Sequence, residues 1–333
     1  MSNFVANPLL PVDCYASRNK DLAEVATSRS GATFIALANY FINNGGVVYG
    51  VTLTKNGDVV YRRASDKKGI DSFKGSKYVQ SNPGDSFSKC LDDLLNGKYV
   101  LFTGTPCYVH GLLYFLKSKK ICTSKLITCD IVCHGTPSPL IWKLFWNRLN
   151  KSGPVTSFSF RDKAQSGWRC FEESYIQNGE KHLSKDYQGP WTKMFCSHDL
   201  FRESCFSCPF TTPYRESDFT IGDYWGIEDN APYFDDNKGV NLLLVRSDKG
   251  RMLLKRIAAK LEVVPTQLST SLQTQLCCPA KKNVSEYDQF WDSFFKDRDK
   301  TISKYFFPNC FHSFFSNCKS FVKKVFVKLG FSK

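Results

Sequence analysis

The sequence predicts a mixed α/β fold whose sheet is partly parallel. The main observation is a pair of apolar, strand-like segments, residues 98–104 and 126–135, joined by a helical segment that starts at residue 105. So short a β-α-β connection favours parallel pairing with a right-handed crossover. The chain of 333 residues, 42% of them hydrophobic, is long enough for a large core. It contains no apolar run near the roughly 20 residues that a membrane-spanning helix needs.

The N-terminal elements follow from hydrophobic spacing. Residues 30–44 carry apolar side chains at helical spacing and are followed by two glycines, so a helix is predicted there. Residues 47–53 and 59–63 are β-branched and aromatic, and the Asn56-Gly57 turn separates them, which predicts two strands. Residues 87–96 are predicted to form another helix.

The later elements are predicted in the same way. Helices are expected at residues 139–150, 191–201 and 249–260, and strands at 155–162, 170–177, 219–226 and 241–247. We expect an N-terminal α/β part, residues 1–150, and a part carrying a cysteine loop, residues 151–300. The tail, residues 301–333, is expected to form a basic amphipathic helix. From residue 306 onward it holds five lysines and no acidic residue, which suits an anionic membrane surface or, equally, docking on the protein's own core.

Cysteine usage points to metal or redox chemistry. The chain has 14 cysteines and its start has no secretory pattern, so a reducing cytoplasm is expected, where disulfides are disfavoured. Cys205 and Cys208 form a CxxC pair that suits a disulfide, half a zinc site, half an iron–sulfur cluster, or no ligand at all. Cys107 and Cys133 follow the two central strands, so the carboxyl edge of the sheet should bring them together.

Other polar residues are predicted at the same edge. The turns at residues 104–107, 134–137 and 28–33 precede helices or follow strands, which favours binding of an anion. His134 and Asp223 are candidates for proton transfer, although each also fits a structural turn. The formal charge of +14 indicates an anionic partner. Scattered basic residues and the lack of a recognised module argue against nucleic acid.

Several motifs together resemble one family. GTPC at residues 104–107, DIVCHGTPSP at 130–139, the CxxC and SDFTIGDYWG at 217–226 are similar to the coenzyme F420 hydrogenase/dehydrogenase beta-subunit family. The resemblance covers residues 14–251 and is to the bacterial type found in polysaccharide-biosynthesis settings. It implies an oxidoreductase with a 4Fe–4S cluster and FAD, or a deazaflavin in its place. The implied cluster ligands are Cys107, Cys133, Cys205 and Cys208, and the implied flavin-binding residues are Ser28, Ser30, Gly31, Lys77 and Thr105.

Two departures from the family shape the expected function. Many relatives have an N-terminal ferredoxin domain that is not expected here, so a separate ferredoxin or flavodoxin-type donor would supply electrons to a small substrate, for example a sugar or glycan intermediate. Relatives read SSSGG where this chain reads SRSGA at residues 28–32. The alternatives are a catalytically degenerate scaffold and a zinc-stabilised basic binding protein. The expected location is the cytoplasm, with peripheral contact at the inner face of the membrane.

Overall fold

The computed structural model describes residues 11–308, which form eleven strands and twelve α-helices. The strands are β1 Asp13–Asn19, β2 Val47–Leu53, β3 Val59–Ala64, β4 Val100–Gly104, β5 Leu126–Ile131, β6 Val155–Asp162, β7 Glu172–Gln177, β8 Glu180–Leu183, β9 Phe219–Asp223, β10 Asn241–Val245 and β11 Leu261–Thr266. The helices are α1 Leu22–Thr27, α2 Thr33–Asn43, α3 Lys67–Asp71, α4 Ser86–Leu95, α5 Pro106–Ser118, α6 Pro139–Leu149, α7 Pro190–Ser197, α8 Ile227–Asn230, α9 Asp248–Ile257, α10 Leu268–Ser271, α11 Val284–Lys296 and α12 Arg298–Phe306.

The main sheet has eight strands in the order β11-β1-β10-β9-β5-β4-β2-β3. The four central strands, β9, β5, β4 and β2, pair in parallel, and the outer pairs are antiparallel. The predicted parallel pairing of β4 with β5 is confirmed, with Val100 opposite Leu126 and Gly104 opposite Asp130. The predicted mixed α/β class is confirmed as well. The carboxyl ends of β4, β5 and β9 therefore share one edge of the sheet.

Helices cover both faces of the parallel strands. Leu101 packs on one face with side chains of α2 and α9, while Val100 and Phe102 pack on the other with α4 and α5. All three strand residues are fully buried. This two-sided burial explains why three successive residues of β4 are apolar instead of alternating with polar ones.

A second, antiparallel sheet orders its strands β6-β7-β8. An aromatic core fixes it to α6 and α7: the Trp142 ring lies 4.8 Å from Trp191 and 4.9 Å from Phe160 between centroids. The Trp142 indole N–H donates to the Gly57 carbonyl at 2.6 Å, so this layer is also attached to the turn between β2 and β3.

The chain divides into two compact units, residues 1–282 and 283–333. Both sheets lie in the first unit, and the predicted boundary at residue 150 falls inside it. In the second unit α11 and α12 pack together, with the Phe290 and Tyr305 rings 5.0 Å apart. The predicted basic amphipathic helix lies mostly at residues 309–333, outside the described residues. Within residues 11–308, no helix combines the length and the apolar character that crossing a membrane requires.

Candidate cofactor site

A cavity of about 450 Å³ opens at the carboxyl edge of the parallel strands. Thr105 follows β4, Cys133 and His134 follow β5, and Asp223 ends β9, and all four line the cavity. The connection after α1 and the second sheet supply the other walls. Open α/β sheets bind ligands at this edge, because the loops that follow parallel strands converge there.

Four thiols lie beside this cavity, and we call them the four-thiol group: Cys107, Cys133, Cys205 and Cys208. Cys107 lies in the first turn of α5, Cys133 follows β5, and the CxxC pair lies in the loop before β9. None of them is in a disulfide. Burial raises the pKa of Cys133, and the charges of the other three thiols raise it further. The charges of Cys107 and Cys205 likewise raise the pKa of Cys208, again after burial. The two strand ends and the CxxC loop thus lie close enough for the thiol charges to influence one another's pKa values.

The CxxC loop reaches the strand edge through a short bridge. Pro137, in the segment after β5, pairs with Phe201 in an isolated antiparallel bridge. The Phe201 ring packs onto Gly135, whose φ of 148° and missing side chain permit the close approach. Thr136 then brings its hydroxyl to 3.9 Å from the Cys205 sulfur. The chain segment after Cys133 therefore also positions the CxxC loop.

A buried ion pair fixes the same loop from the other side. Arg215 donates to the Asp130 carboxylate at 2.9 Å, and the two side chains are 3% and 2% exposed. The guanidinium also donates to the carbonyl of Phe210, just after the CxxC, at 2.9 Å and to that of Ile131 at 3.3 Å. Ser217 donates to the second Asp130 oxygen at 2.8 Å. One side chain thus holds the end of β5 and the CxxC loop together.

His134 pairs with a histidine that the sequence analysis missed. His198 Nδ1 lies 3.0 Å from the Lys281 carbonyl, which only accepts, so it must donate there. This leaves His198 Nε2 to accept from His134 Nε2, 2.5 Å away. His134 accepts in turn at Nδ1 from the Gln275 amide at 2.9 Å. Burial, then the charge of His198, lowers the pKa of His134 to about 4. His198 ends α7 at a left-handed φ of 71°, a conformation that no local pattern announces.

Asp223 is engaged by two buried arginines. Arg161 Nη1 donates to its carboxylate at 2.5 Å, and Arg29 Nε lies 4.0 Å from the same oxygen. The Arg161 guanidinium also stacks 3.7 Å from the centre of the Phe171 ring. Burial, followed by the charge of Arg161, lowers the pKa of Arg29 to about 10. Two guanidiniums thus face one carboxylate, and this part of the cavity wall carries an excess of positive charge.

The predicted flavin-binding residues divide into two groups. Ser28, Ser30, Lys77 and Thr105 line the cavity. Gly31 is packed against the sheet instead, because a Cβ there would meet the Ser17 carbonyl and lie 2.8 Å from the backbone nitrogen of Asn241.

The side chains that line the cavity differ in whether their hydrogen-bond donors are already used within the protein. Ser30 donates to the Val240 carbonyl at 2.6 Å. Lys77 gives its three N–H groups to carbonyls just beyond α3 at 2.7–3.3 Å, and burial lowers its pKa to about 7. By contrast, Ser28 Oγ and Arg29 Nε are buried without a hydrogen-bond partner among the described residues. These two donors are therefore available to a ligand.

Comparison with known proteins assigns a family to this architecture. Residues 97–269 match the family model that describes the C-terminal region of the beta subunit of coenzyme F420 hydrogenase/dehydrogenase. A chain of the F420-reducing [NiFe] hydrogenase complex from Methanosarcina barkeri is similar in structure, with a TM-score of 0.53 and 15% sequence identity over 90% of this chain and 94% of that chain. At this identity the likeness concerns the fold. No curated protein matches the sequence.

Proposed function

From the premise that the chain belongs to the coenzyme F420 hydrogenase/dehydrogenase beta-subunit family, we propose that it is a flavin- and iron–sulfur-dependent oxidoreductase. A 4Fe–4S cluster would receive electrons from a separate ferredoxin or flavodoxin-type donor, and FAD, or a deazaflavin, would pass them to a small substrate. The observation that carries the proposal is the four-thiol group beside the cavity.

The donor set of the four-thiol group suits an iron–sulfur cluster. Zinc draws its ligands to about 2.3 Å from one point. Within residues 11–308, no three His, Cys, Asp or Glu side chains are arranged to hold a metal ion. The thiols nevertheless interact with one another through their charges. Four cysteine thiols contributed by three separate chain segments suit a polynuclear cluster, whose usual protein ligands are cysteine thiolates. Cys107, Cys133, Cys205 and Cys208 would hold it.

The cavity wall supports a flavin with an anionic phosphate group. The volume of about 450 Å³ lies in the range of cofactor and ligand pockets. Ser28 Oγ and Arg29 Nε lack partners, and Arg29 and Arg161 together exceed the charge of Asp223. Buried donors without partners cost free energy that a bound phosphate would recover. Arg29, which replaces the second serine of the family pattern, therefore adds a donor to the flavin site.

The chain's own residues would serve binding and proton movement. When bound, the flavin supplies the exchange between single electrons and electron pairs. Asp223 orients Arg161 toward the cavity, and Phe171 packs on the guanidinium. His134 and His198 both line the cavity, share a proton between their Nε2 atoms, and are held in place by Gln275 and the Lys281 carbonyl, so they would be the groups that exchange a proton with the bound flavin.

The partners follow from charge and from the similar structure. The charge of +14 would attract an acidic electron carrier and raise its association rate. The similar structure belongs to a hydrogenase complex, which supports assembly with other electron-transfer subunits. For the substrate we retain a sugar or glycan intermediate, and for the location the cytoplasm with membrane contact through the tail, residues 301–333.

Anaerobic purification followed by iron, sulfide and flavin analysis tests the proposal. We expect about four irons and four sulfides per chain, with one flavin. Cys205→Ser should lose most of the iron, while Cys122→Ser, at an exposed thiol hydrogen-bonded to Ser124, should keep it. Arg29→Met should keep the iron and bind flavin at least tenfold more weakly. One zinc per chain would support the binding-protein alternative, and the absence of both metal and flavin would support a scaffold.

A further inference from the structure

One buried hydroxyl near the four-thiol group has no partner. Tyr61, on β3, is 4% exposed, and its Oη makes no hydrogen bond to any described residue. A phenol this deep in a core normally finds an acceptor, because an unsatisfied donor loses its hydration without compensation. Tyr49, a buried tyrosine in the same core cluster as Tyr61, does have an acceptor, because its hydroxyl donates to Asp93 at 2.6 Å.

The position of the Tyr61 hydroxyl is fixed by its surroundings. Its ring stacks on Phe102, 5.3 Å between centroids with a 15° tilt, and meets the Tyr108 ring edge-on at 5.4 Å. The oxygen lies directly against the α-carbon of Gly104, where it would overlap any Cβ. Gly104 ends β4 and lies three residues before Cys107. The hydroxyl is therefore held beside the turn that carries the first thiol.

Electrostatics gives the same placement. Burial raises the pKa of Tyr61 well above its usual value, and the charges of Tyr108 and Cys107 raise it further. The hydroxyl, buried beside Gly104 without a partner, can therefore donate a hydrogen bond to an acceptor on that side.

We propose that the Tyr61 hydroxyl donates a hydrogen bond to a sulfur of the iron–sulfur site at Cys107 and thereby stabilises the reduced cluster. This inference rests on the proposed function, since the acceptor is a sulfur of the cluster or of its ligand. Hydrogen bonds to cluster sulfurs are among the factors that set the reduction potential. A donor favours the reduced state because that state carries one more negative charge. Tyr61 would accordingly be a tuning residue for the one-electron couple.

Tyr61→Phe tests this, with Tyr49→Phe as the matched control. Both variants remove one oxygen from a buried ring that packs near Phe102, but only Tyr49 loses a partner. In metal-free protein, urea unfolding should show Tyr61→Phe as stable as the original chain or more so, and Tyr49→Phe as less stable. In reconstituted protein, reductive titration should give Tyr61→Phe a more negative midpoint potential. A tenfold drop in the reduction constant corresponds to ~59 mV for a one-electron couple. Tyr49→Phe should leave the potential unchanged.

The two readouts separate the possible failures. If the original chain binds no cluster, iron analysis shows that the proposed function fails, and the Tyr61 inference fails with it. If the cluster binds and the potential of Tyr61→Phe equals that of the original chain, the inference is overturned while the proposed function stands. If metal-free Tyr61→Phe is destabilised like Tyr49→Phe, the hydroxyl already has an acceptor, such as a water molecule, and the inference is likewise overturned.

Discussion

Replacing Arg215 by methionine should both destabilise the fold and loosen the CxxC loop. Methionine keeps much of the side-chain volume but removes the charge that is ion-paired with Asp130. The two side chains are 3% and 2% exposed, so water cannot replace the lost partner. Breaking a buried pair by removing one member costs about 3–5 kcal/mol. The carbonyl of Phe210 also loses its donor, which releases the loop just beyond Cys208.

Urea unfolding of the metal-free protein measures the first effect. We expect the free energy of unfolding to fall by about 3–5 kcal/mol for Arg215→Met. A matched control is Lys143→Met, which breaks the exposed Asp58–Lys143 pair, with side chains 50% and 41% exposed. That change should cost at most about 1 kcal/mol. The double variant Asp130→Asn with Arg215→Met removes both charges, so it should be more stable than Arg215→Met alone.

Iron binding measures the second effect. If Arg215 positions the CxxC loop, Arg215→Met should retain less iron than the original chain under conditions where both remain folded, and Lys143→Met should retain all of it. If Arg215→Met lowers the free energy of unfolding by less than about 1 kcal/mol, Arg215 does not stabilise the fold through a buried ion pair, because removing one member of such a pair costs more than that. Full retention of iron in a destabilised variant would refute the positioning role alone.

Two further predictions use other buried groups. Burial raises the pKa of Glu173 from 4.5 to about 7, so its contribution to stability is complete below pH 4.5 and is lost as the pH rises through 7. This contribution is ~3 kcal/mol, and Glu173→Gln should flatten the dependence in urea unfolding measured between pH 4.5 and 8; parallel pH profiles would contradict it. Gly104→Ala should cost ~1–3 kcal/mol by overlap with the Tyr61 hydroxyl. The cost should be smaller in the Tyr61→Phe background, and strictly additive losses would count against the contact.

The central β-α-β unit was predictable because its signals are local. Strands β4 and β5 each begin with buried apolar residues, Val100–Phe102 and Leu126–Ile127, and α5 has helical spacing between them. The residues at which these strands end were less predictable. Residues 126–135 were expected to form one strand, but β5 ends at Ile131. Its partner β9 pairs with it only as far as Ile131, and the chain then turns toward the CxxC loop.

Elements stabilised by distant partners gave no local signal. β1 reads DCYASRN, which is too polar to predict a strand, yet it lies between β10 and β11, more than 220 positions away. The helix expected at residues 30–44 begins at Thr33 instead, because Ala32 adopts a left-handed φ of 59°. There the Thr33 N–H is held by the Asn241 side chain at 3.1 Å. Both differences arise from contacts that only the folded chain brings together.

The same reasoning explains what was missed at the site. The carboxyl edge of the main sheet predicts that Cys107 and Cys133 are neighbours. No local pattern, however, indicates that Arg161 reaches this edge from the second sheet. The register of β6 against β7 is shifted between Ser159 and Asp162. As a result Phe160 and Arg161, which would face opposite sides of a regular strand, are both buried. Irregularities of this kind re-aim side chains next to ligand sites. The Arg161 guanidinium is thereby directed at Asp223 and the cavity, so the alternation rule fails at the position where the second sheet contributes to the cavity wall.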